Sequence, residues 1–203
     1  PTNLDARSQR FALANGMQVA LLPKSTRGEA VNVAIRLRAG SVDSLKGQAG
    51  ASSLASGMLM RGTSQFTREQ IKDKFDAMKA TVGLDTGGGS ISTTRPNLVE
   101  AIKLAGLVLK DASFPQEEFA KLKQETITGL EFNRKDPQTI ASDKLAEHWR
   151  RYTLDDPRTR ATSQESLMMI EATSRDAALN YYKRFVGGAD GQIAVVGDFD
   201  PSE

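Results

Sequence analysis

Two apolar patterns near opposite ends of the chain constrain the fold most. Val31, Val33, Ile35 and Leu37 alternate with Asn32, Ala34, Arg36 and Arg38, the period of two expected of a strand with one buried and one wetter face. Far downstream, Gln192-Ile193-Ala194-Val195-Val196-Gly197-Asp198 is a short apolar run bounded by glycine, the pattern of a buried strand. Helical patterns dominate the residues between them, so the last strand must return to a sheet begun near the N-terminus.

Other segments fill in this frame. Arg10–Leu13 and Met17–Leu22 flank Asn15-Gly16, a dipeptide suited to a type I′ hairpin turn, and Pro23 stops the second strand. Residues 47–61 form a helix-like block rich in Ala, Ser, Gly and Met. Thr67-x-x-Gln70 is a capping box for a second helix, with Ile71, Phe75 and Met78 on one face. Two short strands near 81–85 and 90–94 follow, joined by Gly87-Gly88-Gly89. Asn97-x-x-Glu100 opens a helix with Leu98, Ile102, Ala105 and Leu109 on its apolar side. A long helix runs from Pro115 to about Lys135, and Asp136-Pro137 reads as an N-cap and first helical residue. That helix continues through Leu145 and Trp149, and a last one lies around Ser174–Phe185. The order predicts an α+β fold: one domain with a mixed, mainly antiparallel sheet covered on one face by several helices.

At 203 residues the chain fits one sizeable domain. Lys plus Arg is 27 against 25 for Asp plus Glu, and the resulting net charge of +2 argues against a nucleic-acid partner. No stretch approaches the apolar length of a membrane span. There is no cysteine, which excludes thiolate ligands, thiol nucleophiles and disulfides.

Several fragments resemble, in order, the motifs of the pitrilysin/insulinase zinc metallopeptidases. Phe11-Ala12-Leu13-Ala14-Asn15-Gly16-Met17-Gln18-Val19 is similar to the family's opening strand, and Met58-Leu59-Met60-Arg61-Gly62-Thr63 to the segment after its zinc motif. Phe114-Pro115-x-x-Glu118-Phe119 and Asp136-Pro137 resemble the entry and exit of its long second-half helix. Ile193-Ala194-Val195-Val196-Gly197-Asp198 resembles its closing strand. The resemblance implies the metallopeptidase fold of the processing-peptidase type.

Active members carry H-x-x-E-H before the Met58–Thr63 equivalent. Two imidazoles one helical turn apart bind zinc, and the glutamate activates the metal-bound water. The corresponding residues here are Ser53-Leu54-Ala55-Ser56-Gly57. Ser53 and Gly57 stand at the ligand positions and Ser56 at the base. A serine hydroxyl is a poor zinc ligand, glycine has no side chain, and Ser56 offers no group that takes a proton near neutral pH. The third family ligand is a glutamate on the long helix, and Glu131 is the residue nearest that position, a remnant at most and otherwise a solvated helix-face charge. The only histidine, His148, lies near the end of a different helix and reads as a surface or packing residue. The small side chains of this block also suit close helix packing.

The resemblance therefore implies no catalytic residue, no metal and no cofactor in residues 1–203, with substrate contacts not identifiable. It implies a non-catalytic domain, the first of the second half of a longer protease, that helps enclose substrate while zinc sits on another domain or subunit. The implied partners are that catalytic domain and a peptide substrate, and the implied location is the periplasm. Two alternatives are a purely structural domain like the core subunits of respiratory complexes, and an unrelated α+β binding module.

Overall fold

The computed structural model describes residues 2–202 and divides into two compact units. The first comprises the residues up to Ala39, Leu59–Ser113, and those from Val186 onward. It contains helix α1 (Thr2–Arg7), strands β1 (Gln9–Ala12), β2 (Gln18–Pro23) and β3 (Ala30–Arg36), helix α3 (Arg68–Ala77), strands β4 (Thr81–Asp85) and β5 (Gly88–Thr94), helix α4 (Leu98–Lys110) and strand β6 (Gln192–Gly197). The second, Gly40–Met58 with Phe114–Phe185, is helical: α2 (Ala49–Met58), α5 (Gln116–Asn133), α6 (Pro137–His148), α7 (Ser163–Ala172) and α8 (Arg175–Phe185).

The six strands form one sheet in the order β1-β2-β6-β3-β5-β4. β6 lies parallel to β2 and antiparallel to β3, placing Val195 opposite Leu21 on one side and Val33 on the other. The remaining pairs are antiparallel, so the sheet is mixed and mainly antiparallel, as the sequence predicts. The alternation in β3 buries Val31, Val33 and Ile35 and exposes Asn32, Ala34 and Arg36. Ile91 of β5 and Val195 of β6 join the buried face. Helices α3 and α4 cover it with Ile71, Phe75, Leu98, Ala101, Leu104, Ala105 and Val108.

The motif fragments of this unit have local structural duties. In the closing strand, Gly197 has φ +144, and a Cβ there would lie 2.3 Å from the Ala30 carbonyl oxygen, so only glycine permits this strand crossing. Asp198 accepts from the Thr26 amide at 3.3 Å and stands 3.6 Å from Arg95, anchoring the strand end. The Thr63 hydroxyl accepts from the amides of Gln65 and Phe66, turning the chain toward α3, which opens on the capping box formed by Thr67 and Gln70.

Three local expectations change. The first hairpin turns through Ala14-Asn15-Gly16, with Gly16 alone at positive φ (+89) and its amide donating to Leu13, a three-residue loop and not a type I′ turn. The tip of the second hairpin is Thr86-Gly87, since Gly88 and Gly89 already pair within β5. Asn97 precedes α4 without capping it, because its amide nitrogen donates to Thr94 Oγ1. Asp136 does cap α6, accepting from the Thr139 amide at 2.8 Å.

The helical unit is held by α2 and α8 and by their neighbours α5 and α7. Phe114 is fully buried, stacks at 5.4 Å on Tyr182, and has its carbonyl held by Arg175 Nε at 2.7 Å. Lys123 of α5 donates to the carbonyls of Glu171 and Thr173, satisfying the C-terminal end of α7. Glycine in these helices is of two kinds. A Cβ at Gly50 would sit 2.7 Å from the Met169 carbonyl oxygen and 2.4 Å from Thr173 Oγ1, whereas one at Gly129 would meet nothing within 4 Å. Gly50→Ala is therefore expected to destabilise the protein by about 1–3 kcal/mol through overpacking. Gly129→Ala should stabilise it by about 0.5–1 kcal/mol through helix propensity. Urea denaturation of both variants checks the opposite signs.

Candidate functional site

Ser53, Ser56 and Gly57, the residues that the motif resemblance sets against the zinc-binding helix of active relatives, lie on α2, inside the helical unit. Leu54, Ala55 and Met58 are buried there, Ser53 is exposed, and Ser56 and Gly57 are half-buried. The turn from 53 to 57 is thus formed as the motif requires, with two residues one turn apart on one face. Its chemistry is different. A Cβ at Gly57 would lie 2.7 Å from Leu122 Cδ2 and 3.0 Å from Cδ1, so the leucine of α5 occupies the space that a second imidazole would need.

Leu122 marks where α5 meets Gly57, and Glu131 lies nine residues further on, about 13 Å along the axis. It is exposed, in the last turn of α5, where Arg134 bonds to Gln164 of α7. The opposite end of α7 is the one beside α2, through the contact of Gly50 with Met169 and Thr173. The carboxylates on the α5 face that carries Leu122 are Glu118, four residues before it, and Glu125, three after. Glu118 also lies 3.8 Å from Lys121. Anchoring the helix register on Leu122 would have found them, but sequence distance from the motif alone does not. His148 is the exposed last residue of α6.

One exposed serine, one glycine and a leucine in the space beside it do not make a donor set for zinc, which needs nitrogen, thiolate or carboxylate ligands in tetrahedral array. Among the described residues no group of three or more His, Asp or Glu side chains is placed to hold a metal ion.

The most strongly perturbed ionisable groups lie elsewhere in the helical unit. Arg150 makes a two-pronged bond to Glu165, at 2.8 and 2.6 Å, across from the capping box that Glu165 forms with Thr162. The Arg150 guanidinium holds the Glu165 carboxyl down at about 2, opposed by burial and assisted by the Thr162 amide and hydroxyl. Asp156, buried, accepts from the Arg158 side chain at 2.9 and 2.7 Å and from its amide, and its carboxyl is likewise lowered to about 2. Both pairs close the segment between α6 and α7. Each carboxyl is depressed in the folded state, so its stabilisation is present above the ordinary carboxylate range and is lost as pH falls from about 4.5 toward about 2. Urea midpoints measured from pH 7 down to 2 should therefore fall less steeply for Glu165→Gln and Asp156→Asn, each less stable than the parent at pH 7.

No family model matches the sequence, and neither does any curated protein. Solved structures do match. The inactive domain of a peptidase M16 from Pseudomonas fluorescens superposes with TM-score 0.77 at 20% identity, covering 96% of this chain and 47% of that one. A protease from Helicobacter pylori gives TM-score 0.76 at 14% identity, with coverages of 96% and 47%. The periplasmic protease PqqL from Escherichia coli gives 0.75 at 15% identity, with coverages of 98% and 23%. The chain thus spans about half of the first two proteins and about a quarter of the third. Its α+β architecture is that of the M16 peptidase domains, the pitrilysin/insulinase type whose motifs it resembles.

Proposed function

We propose that this chain is a non-catalytic domain of a zinc-dependent metalloendopeptidase, the first domain of the second half of a longer protein, forming part of the wall that encloses a peptide substrate. The observation that carries this reading is α2, where the helix of an M16-type fold is retained while Ser53, Ser56 and Gly57 stand at the ligand and base positions and Leu122 fills the space beside Gly57. Support for the fold comes from a neighbour described as an inactive M16 domain. Zinc and the hydrolytic step belong, on this reading, to a partner domain or subunit bearing H-x-x-E-H. A periplasmic location follows from likeness to PqqL, the periplasmic protease.

The reading makes a direct demand on the purified chain. Dialysed against zinc and then against metal-free buffer, it should retain well under one zinc per chain by elemental analysis, and it should leave an unfolded casein substrate intact. Stoichiometric retention, or cleavage that a chelator abolishes, would contradict it.

A further inference from the structure

Beyond α2, the helical unit holds a cavity of about 280 Å³ between the C-terminal half of α6 and the segment that follows it. We infer that this cavity binds an acidic peptide segment, taking a carboxylate on Arg151 and Arg160 and an adjacent apolar side chain against Trp149 and Leu145. The inference rests on the proposal that the domain contacts a peptide substrate.

The cavity is strongly basic. Four arginines line the cavity: Arg150, Arg151, Arg158 and Arg160. Two are already matched, Arg150 by Glu165 and Arg158 by Asp156. Among the described residues no carboxylate pairs with Arg151 or Arg160. Arg160 only donates to the Ser142 hydroxyl at 2.6 Å, and Arg151 is exposed. Two guanidinium forks without anions are complementary to carboxylate, which they can bind in two-pronged fashion.

Trp149 is 67% exposed and Leu145 47%. α6 buries none of its residues, so this apolar surface is not used for packing within the unit. Tyr152 is held in place by Arg158, whose guanidinium lies 3.9 Å from the ring centroid, giving a firm wall beside the open indole.

Size and charge together select the occupant. A cavity near the lower end of the usual ligand range of about 300–1,000 Å³ accommodates one or two side chains and not a nucleotide cofactor. Two uncompensated cations also fall short of the basic stripe that tracks a nucleic-acid backbone.

Trp149 is the only tryptophan, so its emission reports occupancy without a label. The test titrates the intact chain with a short acetylated, tryptophan-free peptide carrying two glutamates around a phenylalanine. The control peptide has lysines for the glutamates. Expected are a saturable change in Trp149 emission with the acidic peptide only, weakening as salt rises, and about tenfold weaker binding in Arg151→Gln. Because the exposed Arg151 side chain has no partner among the described residues, that variant should keep the parent melting temperature, and Arg160→Gln should weaken binding similarly. An unchanged emission, equal binding of the lysine peptide, parent-like affinity in Arg151→Gln, or displacement of the peptide by millimolar inorganic phosphate would each overturn the inference. None of these outcomes bears on the zinc and casein result, so failure of the pocket and failure of the non-catalytic reading are separately visible.

Discussion

The position of β6 is the constraint on which the sheet depends. The last strand enters between β2 and β3, so its backbone groups must satisfy both neighbours, one in parallel and one in antiparallel register. Until it arrives, β2 and β3 face each other across a gap one strand wide, and the β1–β2 hairpin is joined to the rest of the sheet by no ladder. Pairings such as Val33 with Val195 close very long loops, which delays sheet completion relative to the local helices. The glycine and aspartate that end the strand serve this insertion. Gly197 lets the backbone pass the Ala30 carbonyl, and Asp198 fixes the exit against Thr26 and Arg95.

The helical unit obeys a different constraint, close approach of α2 to α5 and α7. Its small residues are the means: Gly50 admits the Met169 carbonyl and Thr173, and Gly57 admits Leu122. α2 is a packing surface on this side, and a long side chain at position 57 would compete with Leu122 for the same face. Ser53 is the exception, exposed and unconstrained by packing. Close packing therefore excludes a metal-ligating side chain at position 57 and places no such limit at position 53.

Much of the fold was legible because its signals are local. The alternation of Val31, Val33 and Ile35, the capping box at Thr67 and Gln70, and the Asp136-Pro137 start of α6 each state their geometry within a few residues. The parallel pairing of β2 with β6 is not local, and no pattern in either strand encodes it. Asn15-Gly16 misled because the dipeptide fits two hairpin loops, and the longer loop was chosen. Helix α1 has no apolar period by which its sequence would signal it. At the candidate site, the sequence itself has no imidazole at 53 or 57, and distance along the chain points to Glu131 as the carboxylate of α5. The contact of Leu122 with Gly57 instead places Glu118 and Glu125 on the facing side of α5. The exposure of Trp149 and Leu145 could not be read either, since an apolar pattern on a helix ordinarily means burial.

That α2 is a packing helix with no room for a ligand at Gly57 is checked by a pair of single substitutions. Chemical denaturation of Gly57→His and Ser53→His compares the same new side chain at two positions one helical turn apart. His at 57 is expected to lower stability by about 1–3 kcal/mol, because the ring must displace Leu122. At the exposed position 53 the change should stay within about 0.5 kcal/mol. Equal stability of the two variants would contradict it, since the face at Gly57 would then still have room for a ligand.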